Sequence, residues 1–96
     1  MIALPNLLDT QAAGPLLADL RRSFAEPGDV RVDGGAVERV GQAAMQVLAS
    51  ARLGATAEAR GFVIAPVSAP LLAAARLLGL DDMLWPEGEP AVVDAN

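Results

Sequence analysis

Residues 29–53 constrain the fold more than any other part of this 96-residue chain. The pattern predicts a short strand over residues 29–33, in which Val30 and Val32 share one face. A Gly-Gly bend follows, and an amphipathic helix is predicted over residues 41–55. A strand that leads into a helix through a short connection is typical of a βα unit, which favours parallel strand pairing.

The N-terminal part of the chain repeats the same alternation. Residues 2–4 predict a short strand that ends at Pro5, because proline cannot donate to a strand ladder. A helix is then predicted to about Phe24, with apolar residues at helical spacing. Asp9 or Thr10 would cap it by accepting a hydrogen bond from a free backbone N–H group, and the sequence leaves both choices open.

The C-terminal half predicts one more strand and one more helix. Residues 62–65 form a continuous apolar run, which indicates a central strand covered on both faces and ended by Pro66. Ser68 is expected to cap the next helix, and Gly79 is expected to close it. Residues 81–85 are predicted to form a last short strand or a turn.

The alternation of strands and helices predicts an α/β fold. We expect a single small domain over residues 1–85, with a mixed, mostly parallel sheet of about four strands and three to four helices. Residues 86–96 read as an acidic, flexible C-terminal tail. The sequence does not decide whether Trp85 packs on the domain, or whether Val92 and Val93 add an edge strand.

Charge is distributed unevenly along the chain. Of the 12 acidic and seven basic residues, seven of each sign lie in residues 1–80, so the whole net charge of −5 lies in residues 81–96. No basic stripe is present, which argues against nucleic-acid binding. No apolar run approaches the length of a transmembrane helix, so direct membrane insertion is not expected.

The side chains that usually carry catalysis are missing from the chain. It has no histidine, cysteine or tyrosine, and all seven basic residues are arginines. No hydroxyl therefore has a base partner of the kind that a nucleophilic triad needs. The Gly-Gly pair has no lysine after it and is read as a backbone bend instead of a phosphate loop. We expect no catalytic residue, no metal site, no cofactor and no enzymatic activity, in a cytoplasmic protein.

The order of these parts resembles the core signature of STAS domains, the sulfate-transporter and anti-sigma-factor-antagonist family. That signature reads roughly strand–Asp–x–x–x–Val–x–x–apolar–Asp–Ser–x–Gly–Leu. Asp33 matches the acid at the strand end, Val37 the buried valine and Met45 the leucine. Gly41 stands at the second Asp, and Gln42 stands at the Ser, which is phosphorylated in partner-switching members. The resemblance implies that the scaffold is present and that the phosphorylation-equivalent position cannot be phosphorylated.

The resemblance extends to the end of the predicted domain. Pro66, Ser68 and Leu72, followed by a leucine–glycine–leucine unit at residues 78–80, are similar to the closing segment of the family. The resemblance therefore covers residues 2–84, and it implies the same α/β layout as the pattern of strands and helices.

A partner-binding surface is expected around the start of the second helix. The candidate residues are Glu38, Arg39, Gly41, Gln42 and Gln46. Gln42 and Gln46 are four residues apart, so they share one side of the helix, and a polar stripe does not belong in a core. Two interpretations of Gln42 stay open: a contact in a permanently competent interface, or a solvated glutamine near a helix N-terminus.

The resemblance implies a non-catalytic regulatory or adaptor protein in bacterial signal transduction. Stand-alone members of this size that lack the serine are similar to those of bacterial chemotaxis, for which the implied partner is a histidine kinase. The alternatives are an anti-sigma-factor antagonist of a partner-switching system and the STAS subunit of a phospholipid-transport ATPase complex. We expect a monomer or a weak dimer.

Overall fold

A computed structural model describes residues 1–88 and 90–93. The elements, in chain order, are β1 (Ile2–Ala3), β2 (Leu7–Leu8), α1 (Thr10–Ala25), β3 (Val30–Gly34), β4 (Arg39–Val40), α2 (Gln42–Ala57), β5 (Phe62–Ser68), α3 (Ala69–Leu77), α4 (Asp81–Leu84) and β6 (Val92–Val93).

The main sheet has the spatial order β1-β3-β5-β6, and each neighbouring pair is parallel. At its centre Val30 lies opposite Phe62, and Val32 lies opposite Ile64. These four side chains are at most 5% exposed and join the core that the helices cover. Arg31 points to the alternate face of the sheet and is exposed. The small, mostly parallel α/β fold is confirmed.

A second, two-stranded sheet was not predicted from the sequence. Strands β2 and β4 pair in parallel, with Leu7 opposite Arg39 and Leu8 opposite Val40. Each strand has two residues, which is too short for a recognisable alternation of polar and apolar side chains. The pair joins the start of α1 to the start of α2, and it therefore fixes the position of the candidate surface.

Local capping signals place the helix ends as predicted. Asp9 is the N-cap of α1, and its carboxylate accepts a hydrogen bond from the backbone N–H of Ala12 at 3.1 Å. Ser68 caps α3 by accepting from the N–H of Leu71 at 3.2 Å. Gly79 follows α3 with a φ of +72°, the left-handed conformation that glycine adopts at little cost.

The prediction that Pro66 ends the strand that begins at Phe62 is wrong. Strand β5 continues through Pro66 to Ser68. The register between β3 and β5 shifts in this region, because the four residues from Ile64 to Val67 of β5 lie opposite the three residues from Val32 to Gly34 of β3. Proline is tolerated in a strand at such a bulge, where its missing N–H interrupts no ladder bond.

The apolar run in this strand predicted that both of its faces would be covered, and that prediction is wrong. Val63 lies opposite Arg31 on the open face of the sheet and is 45% exposed. Phe62 and Ile64, on the other face, are 5% and 1% exposed. An apolar run is therefore compatible with a strand that has one solvent-accessible face.

Residues 81–85 form neither a strand nor a simple turn. Residues Asp81–Leu84 are the short helix α4, with Leu84 only 1% exposed. The turn at Gly79 redirects the chain, and α4 packs against α2 and α3. Trp85 follows and is 8% exposed, so its side chain packs on the domain.

The Gly-Gly pair at residues 34 and 35 serves close packing. Neither glycine has a positive φ. A Cβ on Gly34 would lie 2.7 Å from Cδ2 of the buried Leu71, and one on Gly35 would lie 3.0 Å from Cγ2 of Val93. Real Cβ atoms do not approach other atoms as closely as 2.7 Å. The interpretation as a bend alone was therefore incomplete.

The C-terminal segment adds an edge to the sheet. Val92 and Val93 pair in parallel with Val67 and Ser68. Glu89 and residues 94–96, which also belong to the predicted tail, lie outside the described residues. The division at residue 85 stays a prediction.

Candidate partner-binding surface

The two glutamines of the predicted surface lie on the first turns of α2. Gln42 is the first residue of the helix, and Gln46 lies one turn later. Both side chains are exposed. On the opposite side of the same turns, Ala44 and Met45 are fully buried, and they anchor this end of α2 in the core. The helix therefore presents its amides to solvent, as its periodicity predicted.

Gly41 is the N-cap of α2 and has no side chain with which to cap it. Its backbone N–H donates to the carbonyl of Leu8 at 2.7 Å. A Cβ at this position would lie 3.5 Å from Cα of Asp9, which is an ordinary contact distance. A side chain at position 41 would therefore fit without a clash. The start of α2 has neither the acid nor the hydroxyl of the family signature, because Gly41 and Gln42 stand at those positions.

Glu38 and Arg39 lie beside these amides, and both are exposed. Their backbone N–H groups donate to the same carbonyl, that of Asn6, at 2.8 Å and 3.1 Å. This shared acceptor holds the segment before α2 against the N-terminal part of the chain. Among the described residues, neither side chain forms an ion pair. We call the five predicted residues the amide surface; four of them are exposed, and Gly41 is half-buried.

The other residues that match the family signature have structural roles beneath this surface. Val37 is 1% exposed and belongs to the core, as the signature predicts. A carboxylate oxygen of Asp33 accepts a hydrogen bond from the backbone N–H of Gly35 at 2.9 Å. This side-chain bond to the backbone two residues ahead stabilises the turn after β3. Both residues therefore shape the loop that leads to α2.

The exposed side chains of the amide surface carry amide groups and one charge of each sign, which can form hydrogen bonds and ion pairs. Within residues 1–88 and 90–93, no group of three or more histidine, cysteine, aspartate or glutamate residues converges as a metal site would require. Ser68 is buried, and its hydroxyl oxygen is engaged as a helix cap. In the same ranges, no buried side-chain nitrogen or oxygen lacks a hydrogen-bond partner.

Sequence reasoning did not find the role of Arg60. Its guanidinium donates to four backbone carbonyls near the end of α1, those of Ser23, Phe24, Glu26 and Gly28. Its Cζ also lies 5.2 Å from the centroid of the Phe24 ring. In the sequence, Arg60 is simply an arginine two residues before a strand. The local pattern does not distinguish such an arginine from an ordinary surface charge.

Sequence reasoning also missed an apolar groove of about 500 Å³ between α1 and α2. Gln46 of the amide surface contributes to its rim. The residues that line this α1–α2 groove are Leu17, Leu20, Arg21, Phe24, Ala43, Gln46, Val47, Ser50, Ala51, Gly54 and Glu58.

Comparison with known protein families gives a match over most of the chain. A family model described as "Mlab, STAS domain" matches residues 1–86. No curated protein and no solved structure matches the chain significantly. In the described part of the chain, no helix has the length and apolar character needed to cross a bilayer. The family model spans nearly the whole chain, including every residue of the amide surface and strands β1 to β5, and the chain belongs to the STAS domain family.

Proposed function

We propose that this STAS domain is a non-catalytic regulatory adaptor that acts by binding a protein partner through the amide surface. The exposure of Gln42 at the start of α2 is the observation that carries the proposal. A glutamine sealed in the core could not contact a partner. The family match supports a regulatory role, since STAS domains are generally non-catalytic and commonly bind other proteins.

Recognition by this surface would be independent of phosphorylation. Phosphorylation of a serine adds roughly −1.5 to −2 charges and three acceptor oxygens. The amide of Gln42 cannot accept a phosphoryl group, and it is neutral, so it does not imitate one either. Its NH₂ donates and its carbonyl oxygen accepts, so it retains two-way hydrogen bonding toward a partner. The surface would therefore be permanently competent to bind.

The amide surface favours a polar partner surface of mixed charge. Glu38 and Arg39 present one charge of each sign, and neither forms an ion pair among the residues described. Opposite charges on a partner would orient it and raise its association rate. Gly41 leaves the backbone at the helix start without a covering side chain. These features suit a folded protein surface better than a phosphate-rich polymer.

For the partner we propose the histidine kinase of a bacterial chemotaxis system, in the cytoplasm. The description of the matched family names Mlab, and it names neither chemotaxis nor an anti-sigma factor. A nucleotide-binding subunit of a phospholipid-transport ATPase complex is therefore the second candidate partner. An anti-sigma kinase is the third, and it would be bound without phosphorylation of Gln42.

The test is isothermal titration of the purified chain against each of the three purified partners from the same organism. Binding to the histidine kinase is expected. Binding to the ATPase subunit and to neither of the others would identify that subunit as the partner instead. Incubation with the anti-sigma kinase and ATP is expected to leave the intact mass unchanged. Absence of binding to all three at about 100 μM, where even a weak complex would be detected, would contradict the proposed set of partners.

A further inference from the structure

The central strand β5 has neighbouring strands along only part of its length. On one side, β3 pairs with it from Phe62 to Val67. On the other side, within the described residues, β6 pairs only with Val67 and Ser68. The first part of β5, residues 62–65, therefore has an edge without a neighbouring strand. Such an edge is a template on which a strand of another molecule can pair.

Phe62 and Ile64 direct their backbone groups toward this edge. The carbonyl of Gly61 points the other way, toward β3, where it accepts a hydrogen bond from the N–H of Val30 at 2.9 Å. The N–H and C=O groups of successive residues point to opposite edges of a strand. Those of Phe62 and Ile64 therefore point away from β3.

Two side chains from distant parts of the chain bind these outward carbonyls. Nη1 of Arg52, in α2, donates to the carbonyl of Phe62 at 3.3 Å. Nε1 of Trp85, after α4, donates to the carbonyl of Ile64 at 2.9 Å. The two acceptors belong to alternate residues of one strand, which is the spacing that a neighbouring strand uses. Both side chains also line a cavity of about 400 Å³ beside this edge, where a neighbouring strand would lie.

We infer that Arg52 and Trp85 form an edge guard, which prevents two copies of this chain from pairing through the free edge of β5. The guard acts by occupying the acceptors that such pairing needs. Proteins protect exposed strand edges with charged side chains or by covering them, because an unprotected edge leads to self-association. Here one cation and one aromatic donor provide the protection.

The pairing that the guard prevents has a defined register. A two-fold axis perpendicular to the sheet, midway between the Val63 residues of two antiparallel β5 strands, places Phe62 of each copy opposite Ile64 of the other. Each such pair exchanges two backbone hydrogen bonds, and their acceptors are the carbonyls that Arg52 and Trp85 now occupy. Val63 then lies opposite its counterpart in the second copy, with the two Cα atoms about 4.5 Å apart.

A cysteine at position 63 reports this register directly. The chain contains no cysteine, and the side chain of Val63 is 45% exposed. A Cα separation of about 4.5 Å lies within the range that a disulfide spans. Val63→Cys therefore allows two copies to form a disulfide when their β5 edges pair as described.

The test compares the rate of disulfide formation with and without the guard, in the full chain at about 100 μM. Val63→Cys alone is expected to cross-link slowly. Adding Arg52→Ala and Trp85→Val is expected to raise the rate at least about tenfold, because two acceptors become available to the second copy. Non-reducing gels measure the rate, and circular dichroism checks that each variant is folded. If the triple variant does not fold, Arg52→Ala and Trp85→Phe are tested singly, and each is expected to raise the rate about threefold.

Two controls separate the edge guard from a merely structural role. Leu20→Ala truncates a buried side chain of α1 and so destabilises the domain. It is expected to leave cross-linking at position 63 slow. Leu77→Cys replaces a side chain on α3 that is 88% exposed, and it is expected to cross-link slowly whether or not the guard is present.

Equal rates at position 63 with and without the guard would overturn the inference. Equal acceleration by Leu20→Ala would also overturn it, since loss of stability would then explain the effect, and so would equal acceleration at Leu77→Cys. Phe62 and Ile64 do not belong to the amide surface, so each of these results would leave the proposed partner binding untouched.

Discussion

The indole Nε1 of Trp85 donates a hydrogen bond to the backbone carbonyl of Ile64 at 2.9 Å. Strand β6 pairs with β5 at Val67 and Ser68, nearer the C-terminal end of β5. The indole thus lies beside β5 just before the residues that pair with β6. It donates to a carbonyl to which a longer neighbouring strand would have donated. A single side chain after α4 therefore completes the edge of the central strand.

Trp85→Phe is expected to lower the free energy of unfolding by about 1–3 kcal/mol, because it leaves the buried carbonyl of Ile64 without its donor. Urea denaturation followed by circular dichroism measures the loss. Leu77→Ala, at a side chain that is 88% exposed, is the control and is expected to change stability by less than about 0.5 kcal/mol. Equal stability of Trp85→Phe and the wild type would show that this hydrogen bond contributes nothing net.

Arg60→Met is expected to destabilise the domain by about 2–3 kcal/mol, since it removes the donors that satisfy carbonyls at the end of α1 and a cation over the Phe24 ring. Arg60→Lys should recover part of this loss, because an ammonium group keeps the charge but cannot reproduce the planar fork of donors. Thermal and urea unfolding give both values.

Arg22→Met is the matched control for Arg60. Within residues 1–88 and 90–93, Arg22 pairs only with Asp19, across one helical turn, and its side chain is 72% exposed. Exposed pairs of this kind contribute little, so we expect a change below about 0.5 kcal/mol. Similar losses in the Arg22 and Arg60 variants would contradict the role assigned to the Arg60 contacts.

Gly34→Ala is expected to cost about 1–3 kcal/mol, because its methyl group would overlap Cδ2 of the buried Leu71 and force the core to shift. Gly54→Ala, within α2, is expected to have the opposite sign and to stabilise by up to about 1 kcal/mol, since alanine is the better helix former. Its methyl would lie 3.9 Å from Phe24, at ordinary contact distance. Denaturation midpoints show whether each variant is more or less stable than the wild type. If Gly34→Ala leaves the stability unchanged, Leu71 has room to move.

Gln42→Arg is expected to weaken partner binding at least about tenfold, because it replaces a neutral amide in the proposed contact by a long cation. The unfolding free energy should stay within about 0.5 kcal/mol of the wild type, as is usual for exposed positions. Titration with the cognate partner and urea denaturation measure the two effects.

Ala57→Arg provides the control for Gln42→Arg. Ala57 is the last residue of α2 and is exposed, and it lies about 22 Å from Gln42 along the helix. The same added charge at this end is expected to leave partner binding unchanged. Unaltered affinity in Gln42→Arg, or equal loss in both variants, would remove Gln42 from the binding surface.

Local sequence signals predicted the long elements well. The order of strands and helices, the cap at Ser68 and the exposed stripe of Gln42 and Gln46 all depend on residues within one or two turns of one another. Patterns of this range are written in the sequence itself. The two-residue strands β2 and β4 could not be predicted in this way, because their pairing joins segments about 30 residues apart.

By itself, the sequence determined the α/β layout, the neutral body with its acidic end, and the absence of a hydroxyl at position 42. These follow from composition and from periodicity along a single element. Only the tertiary structure decided that Pro66 lies inside a strand, that Trp85 completes a strand edge, and that Arg60 closes the end of α1. In each case the deciding partner is distant in the chain. Whether a backbone carbonyl finds its donor, or whether the missing N–H of a proline leaves no hydrogen bond unmade, depends on how the two segments meet.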